Sequence, residues 1–189
     1  MINQAPPGLR ASRLKLLLIV GVFMAPILIA SLLTFSGWQP SAKGNGLPIS
    51  PQRNFEQEQL RIDLDQGGQW VWRGAEPKLT LLVLAGPDCA THCLDTLTRI
   101  AWARITLNQN AKRLRLLYVG APPTGDARKA LDNYWQVGRD VDGKLAGFAP
   151  QSPDSVSAVL VESNGTALSL YPAGFDPIGL HKDLQKVIR

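Results

Sequence analysis

The apolar positions of the chain first form one unbroken run, then a set of short alternating segments. Leu16 to Phe35 is twenty residues without a charge, broken only by the hydroxyls of Ser31 and Thr34. A helix of that length rises about 30 Å, the thickness of a bilayer core. Beyond a stretch rich in Gly, Pro and Ser, the pattern turns to short elements. Leu60–Leu64 and Gln69–Trp72 read as candidate strands around the Gly67-Gly68 turn, and Lys78–Leu84 as an apolar strand buried on both faces. A helix is predicted from about Cys89 to Leu107, with Asp88 as its N-cap and Cys93, Leu97, Ile100 and Ala101 on its apolar stripe. Leu114–Val119 is a second apolar strand, and Asp126–Val137 reads as a helix carrying Leu131, Tyr134 and Trp135.

Gly138–Ser155 reads as irregular. Two further strands, Ser157–Val161 and Thr166–Tyr171, flank Asn164-Gly165, which is the signature of a two-residue hairpin turn. Asp176-Pro177 then supplies a cap residue and an N1 proline for a closing helix to Val187. The order strand, helix, strand, helix, hairpin, helix is that of an α/β protein with a thioredoxin-like domain; order alone leaves other α/β sandwiches open, and the two cysteines at the end of the first core strand narrow the choice. The expected organisation is a cytoplasmic tail over 1–13, a single N-terminal transmembrane helix over 14–36, a Pro/Gly-rich tether over 37–54 and the thioredoxin-like domain over 55–189.

Charge sets the orientation of the apolar run. Arg10, Arg13 and Lys15 precede it and no acidic residue appears before Glu56, so the N-terminus is expected in the cytoplasm. Trp38 suits an interfacial aromatic, and Pro26 is a candidate kink. A cleaved signal peptide is the competing reading, but the run exceeds the usual h-region and no A-x-A-like site follows it. In a bacterial chain this gives a single-pass protein of the cytoplasmic membrane with its C-terminal domain in the periplasm. The bilayer is then a partner, and nucleic acid is not. The net charge of +5 falls to 17 basic against 15 acidic residues once the N-terminal flank is set aside. Lys112 to Arg115 reads as the solvated start of a strand.

The only cysteines, Cys89 and Cys93, follow the strand Lys78–Leu84 across the Gly86-Pro87 break. Two thiols where a strand hands over to a helix N-terminus form a reactive dithiol or a metal pair, since helix-end amides and dipole favour a thiolate. On a regular helix the two would stand too far apart for an unstrained bridge. With Cys89 in the loop and Cys93 in the first turn the bridge closes. A bridge this local restricts the unfolded chain little, so a purely structural role is weakly motivated. His92, between them, is a candidate to favour thiolates, to complete a Cys2His copper site with Cys89 and Cys93, or simply to face solvent. His181 reads as a surface histidine, Trp70, Trp72, Trp102 and Trp135 as core or interfacial packing, and Pro153 lies near where thioredoxins hold a cis-proline against the dithiol. P-loop, dinucleotide and nucleophile-elbow motifs are absent.

Ala85-Gly-Pro-Asp-Cys-Ala-Thr-His-Cys-Leu-Asp95, with its C-x3-C spacing, resembles the Sco/SenC family of membrane-anchored thioredoxin-like proteins. Gly37-Trp-Gln-Pro40 and the stretch 45–51 are also similar to small proteobacterial membrane proteins encoded beside haem-copper oxidase assembly genes. The resemblance implies thiol–disulfide exchange or Cu(I) delivery for cytochrome c oxidase assembly, with an oxidase subunit or assembly factor as partner. Cys89 and Cys93 would be the catalytic pair of a thiol-disulfide oxidoreductase, or the copper ligands together with His92. Two departures stand out. Ala90 and Leu94 replace the prolines that usually follow each cysteine. Pro153-Asp-Ser155 also occupies the region where the family places a copper-binding histidine. The alternative is a non-catalytic, membrane-anchored scaffold protein with an inert Cys89–Cys93 bridge.

Overall fold

The computed structural model describes residues 7–35 and 44–188, with helix side chains described from Arg13 to Leu33. The expectations for Trp38, for residue 36 of the transmembrane helix, for residues 37–43 of the tether and for residues 1–6 of the tail lie outside the described residues. Two compact units result, one up to Lys43 and one from Gly44 onward. The described residues of the first are a single helix, α1 (Pro7–Phe35), which runs unbroken through Pro26. Its segment Arg13–Leu33 has a mean hydropathy of 2.8, buries none of its side chains and is long and apolar enough to cross a membrane.

The second unit is a seven-stranded sheet. Its strands are β1 (Leu47–Pro48), β2 (Ile62–Leu64), β3 (Leu79–Ala85), β4 (Leu114–Val119), β5 (Gln136–Asp140), β6 (Val156–Val161) and β7 (Ala167–Tyr171), in the order β1-β7-β6-β3-β4-β5-β2. Three helices complete it: α2 (Thr91–Ile105), α3 (Gly125–Asp132) and α4 (Pro177–Val187). β3 lies at the centre, parallel to β4 and antiparallel to β6. That position explains why its apolar run does not alternate. Leu81 and Val83 face a core shared with α2, α3 and α4, while Leu82 and Leu84 face a second core under Phe55, Ile62, Trp72 and Phe148.

Several elements depart from the sequence expectation, each because tertiary pairing outweighs the local pattern. The helix expected to reach Val137 ends at Asp132, and Gln136–Asp140 becomes β5, held parallel to β4 and antiparallel to β2. Gln69–Trp72 is no strand. It keeps one bridge, Asp63 to Gln69, and buries Trp70 and Trp72 instead. Arg115, expected in solvent, donates to the carbonyls of Val71 and Trp72 at 2.9 Å and lies 4.3 Å from the Trp70 ring, fixing that segment. Trp102, expected to pack, is 61 % exposed. The hairpin loop has three residues, not two: Gly165 takes φ +87° and its N–H donates to Glu162, as in a bulged turn.

The Gly- and Pro-rich stretch from Gly44 to Asn54 lies along the domain. β1 pairs with β7, and Asn54 bridges to Thr166. Its anchor is Asp183 of α4, only 6 % exposed, which accepts from the Asn45 backbone at 2.6 Å and from the Tyr171 hydroxyl at 3.2 Å. Burial pushes the Tyr171 hydroxyl up to about 12, so it stays a donor at any ordinary pH. Asp183→Ala would leave both donors without their acceptor, and we expect a loss of about 1–3 kcal/mol in urea unfolding. An unchanged midpoint would show that the anchor contributes nothing.

Candidate functional site: a dithiol under a remote carboxylate

β3 ends at Ala85, and the backbone that follows stays in contact with the chain leading into β6. The Gly86 N–H donates to Ser155 at 2.9 Å and the Asp88 N–H to Pro153 at 3.2 Å. The approach is so close that a Cβ on Gly86 would stand 2.3 Å from the Pro153 carbonyl oxygen. Only glycine fits there. The contact has a chemical result, because it carries Asp154 onto the start of α2.

The helix begins at Thr91, two residues later than the sequence predicts, and Asp88 does not cap it. The residue in the cap position is Ala90, which has no side chain able to serve. Asp154 does so from across the chain. One carboxylate oxygen accepts from the N–H groups of Ala90 and Cys93, both at 2.9 Å, and the other accepts from His92 at 3.0 Å. Three of the four orphan donors of a helix start are thereby satisfied by one side chain. The amide of Cys93, then that of His92, hold the Asp154 carboxyl below the usual carboxylate range.

Cys89 and Cys93 form a disulfide with 5.1 Å between their Cα atoms. Cys89 is half-buried in the loop, whereas Cys93 is 0 % exposed inside the helical core. One sulfur-bearing residue is thus partly open to solvent and the other is sealed in the core. His92 is exposed. It lines a cleft of about 220 Å³ with Thr96, Asp154, Ser155, Val156, Gly174 and Phe175, and neither cysteine belongs to that lining. Among the described residues no group of three or more His, Cys, Asp and Glu is placed to hold a metal ion. His181 is half-buried on α4. Pro153 does face the dithiol loop, but its peptide bond is not cis; among the described residues only Ser50–Pro51 is.

Asp154 is the residue that sequence reasoning did not single out. Its place in Pro153-Asp-Ser155, where the resembled family has a ligand, was the available signal.

A parallel pair joined by a crossover helix, then an antiparallel hairpin and a packed closing helix, with a dithiol at the strand-to-helix turn, defines a thioredoxin-like protein. Residues 79–189, more than half of the chain, match the family described as transmembrane-like, thioredoxin-like, C-terminal domain, and the chain belongs to that family. Among solved structures its fold is similar to that of Sco1 from Thermus thermophilus, at 15 % identity and a TM-score of 0.55 over 79 % of this chain and 99 % of that one. Copper-bound ScoI from Arabidopsis thaliana is similar at 14 % identity and a TM-score of 0.50, over 69 % and 96 %. The bacterioferritin comigratory protein of Xanthomonas campestris, described by its alkyl peroxide reduction activity, matches at 12 % and 0.51, over 77 % and 97 %. Identities this low establish likeness of fold. No curated protein matches the chain.

The cap has a consequence for acid stability. A carboxyl lowered in the folded state adds stability that is complete above its unfolded value, about 4, and is lost as pH falls through the folded one. The thermal midpoint should therefore hold from neutral pH down to about 5 and drop below about 4. Asp154→Ala should show a shallower drop, since Asp183, also lowered, still protonates in that range. Equal slopes in the two proteins would remove the cap from the account.

Proposed function

We propose that this chain is a membrane-anchored thiol–disulfide exchange protein serving cytochrome c oxidase assembly, with α1 in the cytoplasmic membrane and the domain in the periplasm. The observation that carries the reading is the asymmetric pair: Cys89 half-buried at the surface, Cys93 buried behind it, both where β3 turns into α2. Exchange uses that asymmetry directly. The Cys89 thiolate attacks one sulfur of a client disulfide and forms a mixed disulfide, and the other client sulfur leaves as a thiolate. The Cys93 thiolate then attacks Sγ of Cys89 and releases the second client thiolate. Two electrons pass from the pair to the client, and the two thiol protons end on the client sulfurs. Run backwards, the same steps oxidise a client.

The resemblance to Sco proteins supports a client cysteine pair at an oxidase copper site. It also supports a second reading, in which reduced Cys89 and Cys93 carry Cu(I) as cargo on two soft thiolates. His92 would be its third ligand, although its imidazole lines a separate cleft from the sulfurs. A non-catalytic scaffold with an inert bridge is the remaining alternative.

The test uses the full chain in detergent. The pair should equilibrate with glutathione near −200 mV, whereas an inert bridge would sit below about −300 mV. Cys89→Ser should abolish reduction of a peptide disulfide, and Cys93→Ser should accumulate the mixed disulfide; full activity in Cys89→Ser would sink the reading. Anaerobic Cu(I) titration addresses the cargo: unchanged stoichiometry in both cysteine variants would dismiss it. In spheroplasts, a membrane-impermeant maleimide should label reduced Cys89, and protection would overturn the periplasmic placement.

A further inference from the structure

The amides at the start of α2 have a clear electrostatic use in a dithiol protein, which is to stabilise negative charge on sulfur. Here they are already taken. The N–H groups of Ala90, His92 and Cys93 all donate to Asp154, and each belongs to a residue that is bonded directly to, or is itself, a cysteine of the pair. The carboxylate also offsets the positive end of the helix that it caps. The Gly86–Ser155 and Asp88–Pro153 hydrogen bonds hold its loop against the dithiol turn from behind, where the two backbones approach so closely that only glycine fits at position 86.

Attack on the Cys89–Cys93 bond by a client thiolate leaves the bond's electron pair on one sulfur, and a second client thiolate supplies the two electrons that complete the reduction. A client thiolate attacking Cys89 would expel the Cys93 sulfur as an anion inside the core, beside a carboxylate that has taken its own amide. A carboxylate hydrogen-bonded to the amide of the same residue disfavours that second negative charge. The opposite direction removes charge from the same place: the Cys93 sulfur attacks, the bridge closes and the electrons leave with the client.

Resting on the exchange reading above, we infer that Asp154 is a positioning residue that sets the direction of electron flow, favouring the closed bridge and making the reduced pair a donor of electrons to client disulfides. It touches neither client nor sulfur chemistry directly. It acts by occupying the three amides and by placing a fixed negative charge at the helix start.

The test is the equilibrium between the full chain in detergent and a glutathione buffer, read by alkylation and mass. Asp154→Asn retains an acceptor for the amides but loses the charge. It should shift the equilibrium toward the reduced pair by about tenfold, which is about 30 mV less negative for a two-electron couple. Asp154→Ser, a short neutral cap, should shift it the same way and serves if the amide variant does not fold. Asp95→Asn, an exposed carboxylate paired with Arg99 on the same helix, should leave it in place. A shift below twofold, or one toward the bridge, overturns the assignment while leaving exchange intact. A wild-type pair that never equilibrates overturns the exchange reading itself.

Discussion

The backbone contact between Gly86–Asp88 and Pro153–Ser155 is the constraint from which the site follows. It prolongs the β3–β6 pairing past the last ladder residues, into a region where one strand has become a loop and the other has not yet begun. Because two main chains meet there without an intervening side chain, the Asp154 side chain has a short and fixed reach to the α2 start. The helix that carries Cys93 is capped by a residue more than sixty positions away, so the dithiol turn and the β6 approach form one structural unit.

That unit gives the two cysteines unequal surroundings. Cys93 belongs to the same core as Leu81, Val83, Tyr118 and Leu184. Cys89 remains in the loop, packed on the edge of that core. A core position restrains the buried sulfur, while the loop leaves the other residue partly exposed. A negative charge supplied from outside the helix then replaces the environment in which helix-end amides are free to receive an anion.

The remainder of the domain holds this turn in place. Pairing on both sides of β3 keeps its C-terminal end rigid, and two cores on opposite faces of the sheet fix its height. Arg115 and Asp183 work at the periphery. Arg115 ties the Trp70–Trp72 segment over one face, and Asp183 ties Asn45 to α4, so the chain next to the undescribed residues 36–43 is bound to the domain at its first residues. Tyr171, which shares Asp183, links that anchor to β7.

Local chemistry made part of this legible in the chain alone. The apolar run of α1, the central strand, the cysteine pair at its end and the Asp176-Pro177 helix start each rest on neighbouring residues and a fixed period, and each is found where the pattern puts it. What needed the tertiary structure are the features made by residues distant in sequence. Gln136–Asp140 is a strand because β4 and β2 flank it, although its own pattern reads as the end of a helix at Val137 followed by irregular chain. Asp88 looked like the cap because it is adjacent, and Asp154 is the cap because folding brings its carboxylate to the amides. Sequence therefore determined that two thiols stand at a strand-to-helix turn. Only the folded chain decided which charge they face, since electrostatic interaction depends on distance in space and not along the chain.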